Sequence, residues 1–73
     1  MTEGFILSNK FRKIMFDAFA SGETRVERIT KKYHIIPSVA QRVITEFLHE
    51  GILEKHDDEY HLTAEGEKLK LNL

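Results

Sequence analysis

The segment between Pro37 and Gly51 has the most regular apolar pattern in the chain. Its apolar residues recur at short helical steps, which places them along one side of an α-helix. They are Val39, Ala40, Val43, Ile44, Phe47 and Leu48. The other side carries Ser38, Gln41, Arg42, Thr45, Glu46 and His49. A helix over about residues 39–50 therefore needs a core for one face and exposes a polar second face.

A first helix is predicted over about residues 9–21. Apolar residues recur three and four positions apart between residues 11 and 19. Ser8 or Asn9 can accept hydrogen bonds from the free backbone N–H groups at the start of this helix. Gly22 provides a natural end.

A second helix is predicted over about residues 25–33. Residues 24–27 match the T-x-x-E capping box, and residues 38–41 match the related S-x-x-Q form before the third helix. A short strand over residues 24–26 is the competing interpretation of the first of these segments.

A β-hairpin is predicted after the third helix. Residues 52–56 and 60–63 are typical of strands, and residues 57–59, all acidic, are typical of a turn. Two helices joined by a short turn, followed directly by a hairpin, form the winged helix-turn-helix pattern. The predicted fold is mainly α with a small β-hairpin, namely a three-helix bundle, a wing and a C-terminal helical tail. The whole chain, 1–73, is one domain, with the helix-turn-helix at about 25–50 and the wing at about 52–63.

The C-terminal tail is predicted to begin as a helix over about residues 64–70, capped by Thr63. Gly66 inside that helix costs roughly 1 kcal/mol relative to alanine. The alternation over residues 69–73 favours a strand or an extended end. A 73-residue chain without cysteine has a small core and no disulfides. Domains of this size are often stabilised by a partner subunit. The predicted homodimer surface comprises Phe5, Ile6, Leu7, Leu69, Leu71 and Leu73.

The junction from Ile44 to Lys55 and the later Tyr60–Gly66 stretch resemble MarR-type and related winged-helix transcriptional regulators. The resemblance covers residues 9–68. The opening from Leu7 to Arg12 is also similar to short archaeal winged-helix proteins. This resemblance implies the winged-helix fold and a role in transcription regulation. It also implies that the helix over 39–50 enters the major groove of DNA.

The predicted function is binding of double-stranded DNA, either sequence-specific or general. Bases would be contacted by Ser38, Gln41, Arg42, Thr45 and His49, with Arg42 the best candidate for a bidentate contact to guanine. Phosphates would be contacted by Arg25, Arg28, Lys31, Lys32 and Lys55. For Arg42 the alternative is a solvated side chain paired with Glu46 one turn later, and for Ser38 it is a capping role.

Charge is distributed unevenly along the chain. Residues 1–49 carry eight basic and five acidic residues, whereas residues 50–73 carry three and seven. The acidic hairpin tip would repel phosphates, which favours a second interpretation, a winged-helix protein-interaction module without DNA binding. The absence of cysteine and of a long apolar segment predicts a cytoplasmic protein outside the membrane.

The sequence shows no residue pattern typical of an enzyme, and we predict a non-enzyme without cofactors. Its four histidines are not at a recognised metal-ligand spacing, and His56 and His61 alone can approach each other, across the hairpin. No metal site is predicted.

Overall fold

The computed structural model describes residues 2–72, which form five helices and one two-stranded antiparallel sheet. The elements are α1 (Thr2–Leu7), α2 (Lys10–Ala20), α3 (Val26–Tyr33), α4 (Pro37–His49), β1 (Leu53–His56), β2 (Glu59–Leu62) and α5 (Ala64–Asn72). The prediction of a mainly helical domain with one small hairpin is confirmed.

The segment before the predicted first helix forms a helix of its own, α1, which the apolar pattern did not predict. α1 forms because its apolar side turns into the core: Ile6 is fully buried, and the Phe5 ring meets the Phe47 ring edge-on at 6.3 Å. Leu69 of α5 is buried as well. Ile6 and Leu69, both assigned to the predicted homodimer surface, are therefore core residues. Leu7 remains 56% exposed.

The start of α2 follows the prediction. The Asn9 side chain accepts hydrogen bonds from the backbone N–H groups of Phe11, at 2.9 Å, and Arg12, at 3.3 Å. These bonds satisfy two of the donors that a helix leaves free at its first turn. α2 then buries Phe16 and Phe19 with its other core residues against α3 and α4.

The predicted T-x-x-E box before α3 does not form. Arg25 is the N-cap and makes no side-chain cap bond. The Glu23 carboxylate instead accepts from the N–H groups of Thr24 and Arg25. The alternative strand is absent too, since residues 23–25 have no regular structure; Thr24 nevertheless accepts one hydrogen bond from the Tyr60 N–H, at 2.9 Å.

α4 begins two residues earlier than predicted. Ile36 is its N-cap and Pro37 its first residue, a position that suits proline because no helical N–H is needed there. Ser38 therefore lies inside the helix, and the predicted S-x-x-Q box is wrong. The helix ends at His49, and Gly51 takes the left-handed conformation with φ +74°.

The hairpin pairs Leu53 with Leu62 and His56 with Glu59. Its turn has two residues rather than the predicted three, with Asp57 in the left-handed region at φ +56°. One face of the hairpin turns inward, where Leu53 is buried. The other face carries charged and imidazole side chains.

α5 runs to Asn72, so the predicted extended end is wrong for the described part of the tail; Leu73 lies outside the described residues. Thr63 caps this helix as predicted, since its hydroxyl oxygen accepts from the Gly66 N–H at 3.1 Å. A Cβ at Gly66 would lie 2.5 Å from the Ile52 carbonyl oxygen. Glycine is thus required by the close approach of α5 to the chain entering β1.

The core is continuous and apolar. Its largest fully buried side chains are Phe16, Phe47, Ile6, Met15, Ile29, Ile44 and Ile52. None of the helices within residues 2–72 is long and apolar enough to cross a membrane.

Candidate nucleic-acid interface

The polar face of α4 is exposed to solvent. All five side chains predicted to contact bases lie on this one helix and are exposed: Ser38, Gln41, Arg42, Thr45 and His49. They share a rigid support because the opposite side of α4 is anchored by buried Ala40, Val43, Ile44 and Phe47. We call this set the α4 polar face.

The Thr45 hydroxyl is directed back to its own helix. It donates a hydrogen bond to the Gln41 carbonyl oxygen at 3.0 Å. Its Oγ1 can still accept, while the Gln41 amide presents both a donor and an acceptor. Ser38 does not have the predicted capping role, and its side chain is exposed in the first turn of the helix.

Glu46, the one acid on this side of α4, is held by Arg12 of α2. The Arg12 Nε lies 3.1 Å from Glu46 Oε1, and Nη2 lies 2.8 Å from Oε2. These hydrogen bonds lower the pKa of Glu46 below its ordinary value of 4.5 and raise the pKa of Arg12. The carboxylate is therefore ionised at neutral pH, with its charge balanced from α2.

Because Glu46 is paired with Arg12, the charge of Arg42 is not balanced by a direct acidic partner within residues 2–72. The predicted Arg42–Glu46 ion pair is not formed, and no other carboxylate within residues 2–72 lies at ion-pair distance from Arg42. Arg42 lines a shallow groove between α2 and α4 together with Asn9 and Arg12. Two guanidinium groups thus border this side of the α4 polar face, one neutralised and one exposed.

A second groove, of about 410 Å³, lies between α3, the start of α4 and the hairpin. Arg25, Lys55 and Gln41 line it, so that two of the predicted phosphate contacts lie beside the α4 polar face. Val26, Pro37 and Tyr60 give the groove an apolar part, whereas Glu27 and Asp58 also border it.

The other predicted phosphate contacts lie elsewhere on α3. Arg28 and Lys32 line a separate cavity of about 360 Å³ together with Glu23. The pKa of Glu23 is lowered, mainly by the hydrogen bond from the Arg25 N–H, with a further contribution from the positive charges of Arg28 and Lys32. Lys31 is exposed on α3 and lines neither cavity. The structure thus divides the five predicted phosphate contacts into separate sets.

The outer face of the hairpin carries two carboxylate–imidazole pairs. His56 Nε2 lies 3.1 Å from Glu54 Oε1, and His61 Nε2 lies 3.4 Å from Glu59 Oε1. The His56 and His61 rings meet edge-on at 5.5 Å between centroids, so the predicted approach of these two histidines is confirmed. No group of three or more potential ligands within residues 2–72 is arranged to hold a metal ion.

Glu59 has a second partner. Its Oε2 lies 3.7 Å from Nη2 of Arg25, a residue predicted to bind phosphate. Neither this pair nor the Arg12–Glu46 pair is predictable from local sequence spacing, because each joins residues far apart in the chain. No protein-family model, curated protein or solved structure matches this chain.

Proposed function

We propose that this chain is a winged helix-turn-helix domain that binds double-stranded DNA and has no enzymatic activity. α3 and α4 would form the helix-turn-helix, and the β1–β2 hairpin would be the wing. The observation that carries the proposal is the α4 polar face. Its side chains are exposed and rigidly supported, and Glu46, the acid on the same side of α4, forms an ion pair with Arg12.

The chemistry of this face suits the major groove. Arg42 can donate two hydrogen bonds to guanine, and Gln41 can bond adenine in a bidentate manner. Arg25 and Lys55 border the neighbouring groove, where they can contact phosphates on the adjacent backbone. The likeness to MarR-type winged-helix regulators supports transcription regulation as the biological role.

The test starts from a randomised duplex pool from which the wild-type chain selects its preferred sequence. Arg42→Gln should weaken binding to the selected duplex by about tenfold or more and should change binding to mixed DNA much less. Arg28→Gln is the matched control, since it removes the same charge from the cavity on the far side of α3. Absence of DNA binding by the wild type at low salt would refute the proposal.

A protein-interaction module is the second candidate, and the outer hairpin face favours it. Glu54 on that face and Asp57 and Asp58 in the adjoining turn are exposed, and such a surface suits a basic protein rather than DNA. A fluorescence-anisotropy titration of the wild-type chain with mixed-sequence duplex at low and moderate salt separates the two functions. Binding to DNA at low salt with a salt-dependent affinity supports the first candidate, and its absence supports the second.

We also propose a homodimer, which would present two α4 helices to two half-sites. Of the predicted dimer surface, Leu7 and Leu71 remain available, the latter 85% exposed. Sedimentation at micromolar concentration tests this, and replacement of Leu71 by Ser should weaken any association. A monomer at that concentration would refute the dimer.

A further inference from the structure

We propose that DNA binding by this chain is switched by pH through three side chains, Arg25, Glu59 and His61, and that acidification strengthens it. This inference rests on the proposed function. Glu59 lies between the other two and is at ion-pair distance from both. Its Oε2 lies 3.7 Å from Arg25 Nη2, and its Oε1 lies 3.4 Å from His61 Nε2.

At neutral pH the imidazole of a histidine is largely uncharged, so Arg25 is the cation that balances Glu59. Arg25 also borders the groove between α4 and the hairpin, where a phosphate would lie. Glu59 therefore competes with phosphate for Arg25. Protonation of His61 places a second positive charge on the same carboxylate and releases Arg25 toward the DNA.

Other charged groups also face His61. The hairpin contributes Glu54, which is its cross-strand partner, and His56, whose ring it contacts. Glu23, Glu67 and Lys70 border a groove that His61 also lines. Within residues 2–72, Glu59 is the only acid near His61 whose side chain also forms an ion pair with Arg25.

All three side chains are between 40% and 47% exposed, so the effect is modest and screened by salt. An exposed ion pair contributes up to about 1 kcal/mol, which corresponds to an affinity change of about two- to fivefold. The measurement therefore belongs at low and constant ionic strength.

The experiment is a fluorescence-anisotropy titration of the full chain with a labelled mixed-sequence duplex at about pH 7.5 and pH 5.5. Wild type should bind more tightly at the lower pH. Glu59→Gln should bind more tightly than wild type already at the higher pH, because Arg25 is no longer held. His61→Gln should bind like wild type at the higher pH and lose part of the gain on acidification.

His56→Gln is the matched control. It removes an imidazole that lies on the same hairpin face, directly across the strands from Glu59, but whose Nε2 is at ion-pair distance from Glu54 and not from Glu59. Equal losses of pH response in His56→Gln and His61→Gln would show that only the overall charge matters, and would overturn the proposal. In an Arg25→Gln background, His61→Gln should have no further effect.

A second measurement needs no DNA and so distinguishes failure of the switch from failure of the proposed function. The side-chain NMR resonances of Arg25 should follow the protonation of His61 in wild type and stop doing so in His61→Gln. Arg25 resonances that do not respond in wild type would overturn the switch. Absence of DNA binding at both pH values, with a normal Arg25 response, would overturn the proposed function alone.

Discussion

Arg12 of α2 donates two parallel hydrogen bonds to the carboxylate of Glu46 of α4, at 3.1 Å and 2.8 Å. The guanidinium also donates to the Phe5 carbonyl oxygen at 3.1 Å and lies over the Phe5 ring at 4.0 Å. One side chain thus ties α1, α2 and α4 together. It also balances the charge of Glu46, the acid one turn along α4 from Arg42.

Glu46→Gln should destabilise the domain by about 1 kcal/mol at neutral pH, the range of a well-aligned but partly exposed ion pair. The pKa of Glu46 is lowered in the folded state, chiefly by the hydrogen bond from Arg12. Its contribution is therefore complete above the ordinary value of 4.5 and is lost as the pH falls through the lower folded value. Urea unfolding of wild type and variant across that range measures the difference.

Glu50→Gln is the control for this prediction, since Glu50 is an exposed carboxylate at the end of the same helix. It should change the free energy of unfolding by less than about 0.5 kcal/mol at neutral pH. A difference between Glu46→Gln and wild type that persisted unchanged below the folded pKa would contradict the electrostatic origin of the effect.

Gly66→Ala should destabilise the domain by about 1–2 kcal/mol, although alanine is the better helix former. The added Cβ would meet the Ile52 carbonyl oxygen at 2.5 Å, and a backbone atom cannot rotate away. Gly4→Ala is a matched control, because nothing lies within 4 Å of a Cβ at that position of α1. It should be neutral or stabilising by up to about 1 kcal/mol. Thermal unfolding of both variants measures these changes in stability. A higher melting temperature for Gly66→Ala than for wild type would contradict the close contact with Ile52.

His34→Gly should stabilise the domain by about 0.5–1 kcal/mol. His34 ends α3 in the left-handed conformation, with φ +56°, and its side chain is exposed. Glycine adopts this conformation without the steric cost of a Cβ. His49→Gly, at the last residue of α4, should instead destabilise, so the two variants should shift the melting temperature in opposite directions. A lower melting temperature for His34→Gly would contradict this.

Much of the fold could be predicted from the sequence because it depends on local patterns. The spacing of apolar residues in α2, α3 and α4 and the Asn9 and Thr63 caps are properties of short segments. α1 was not predictable in this way, since a six-residue helix is stable only through tertiary contacts such as the burial of Ile6. The two failed capping boxes have local competitors, the Glu23 carboxylate before α3 and Pro37 at the start of α4.

The candidate site shows the same division. The α4 polar face depends on the periodicity of one helix, so the sequence already indicated which side chains it exposes. The partner of Glu46 is 34 residues away, and local spacing suggested Arg42 instead. Which basic residues share a groove with α4 is likewise a matter of tertiary packing. Helical spacing alone could not separate Arg25 from Arg28.

Lys55→Gln should weaken binding to mixed DNA and reduce the salt dependence of the affinity by about one charge, because Lys55 borders the groove beside the α4 polar face. Lys32→Gln is matched in charge but lines the cavity on the other side of α3, so it should leave that slope unchanged. Anisotropy titrations over a series of salt concentrations give both slopes. Equal reductions in the two variants would contradict the placement of DNA on α4 and the hairpin.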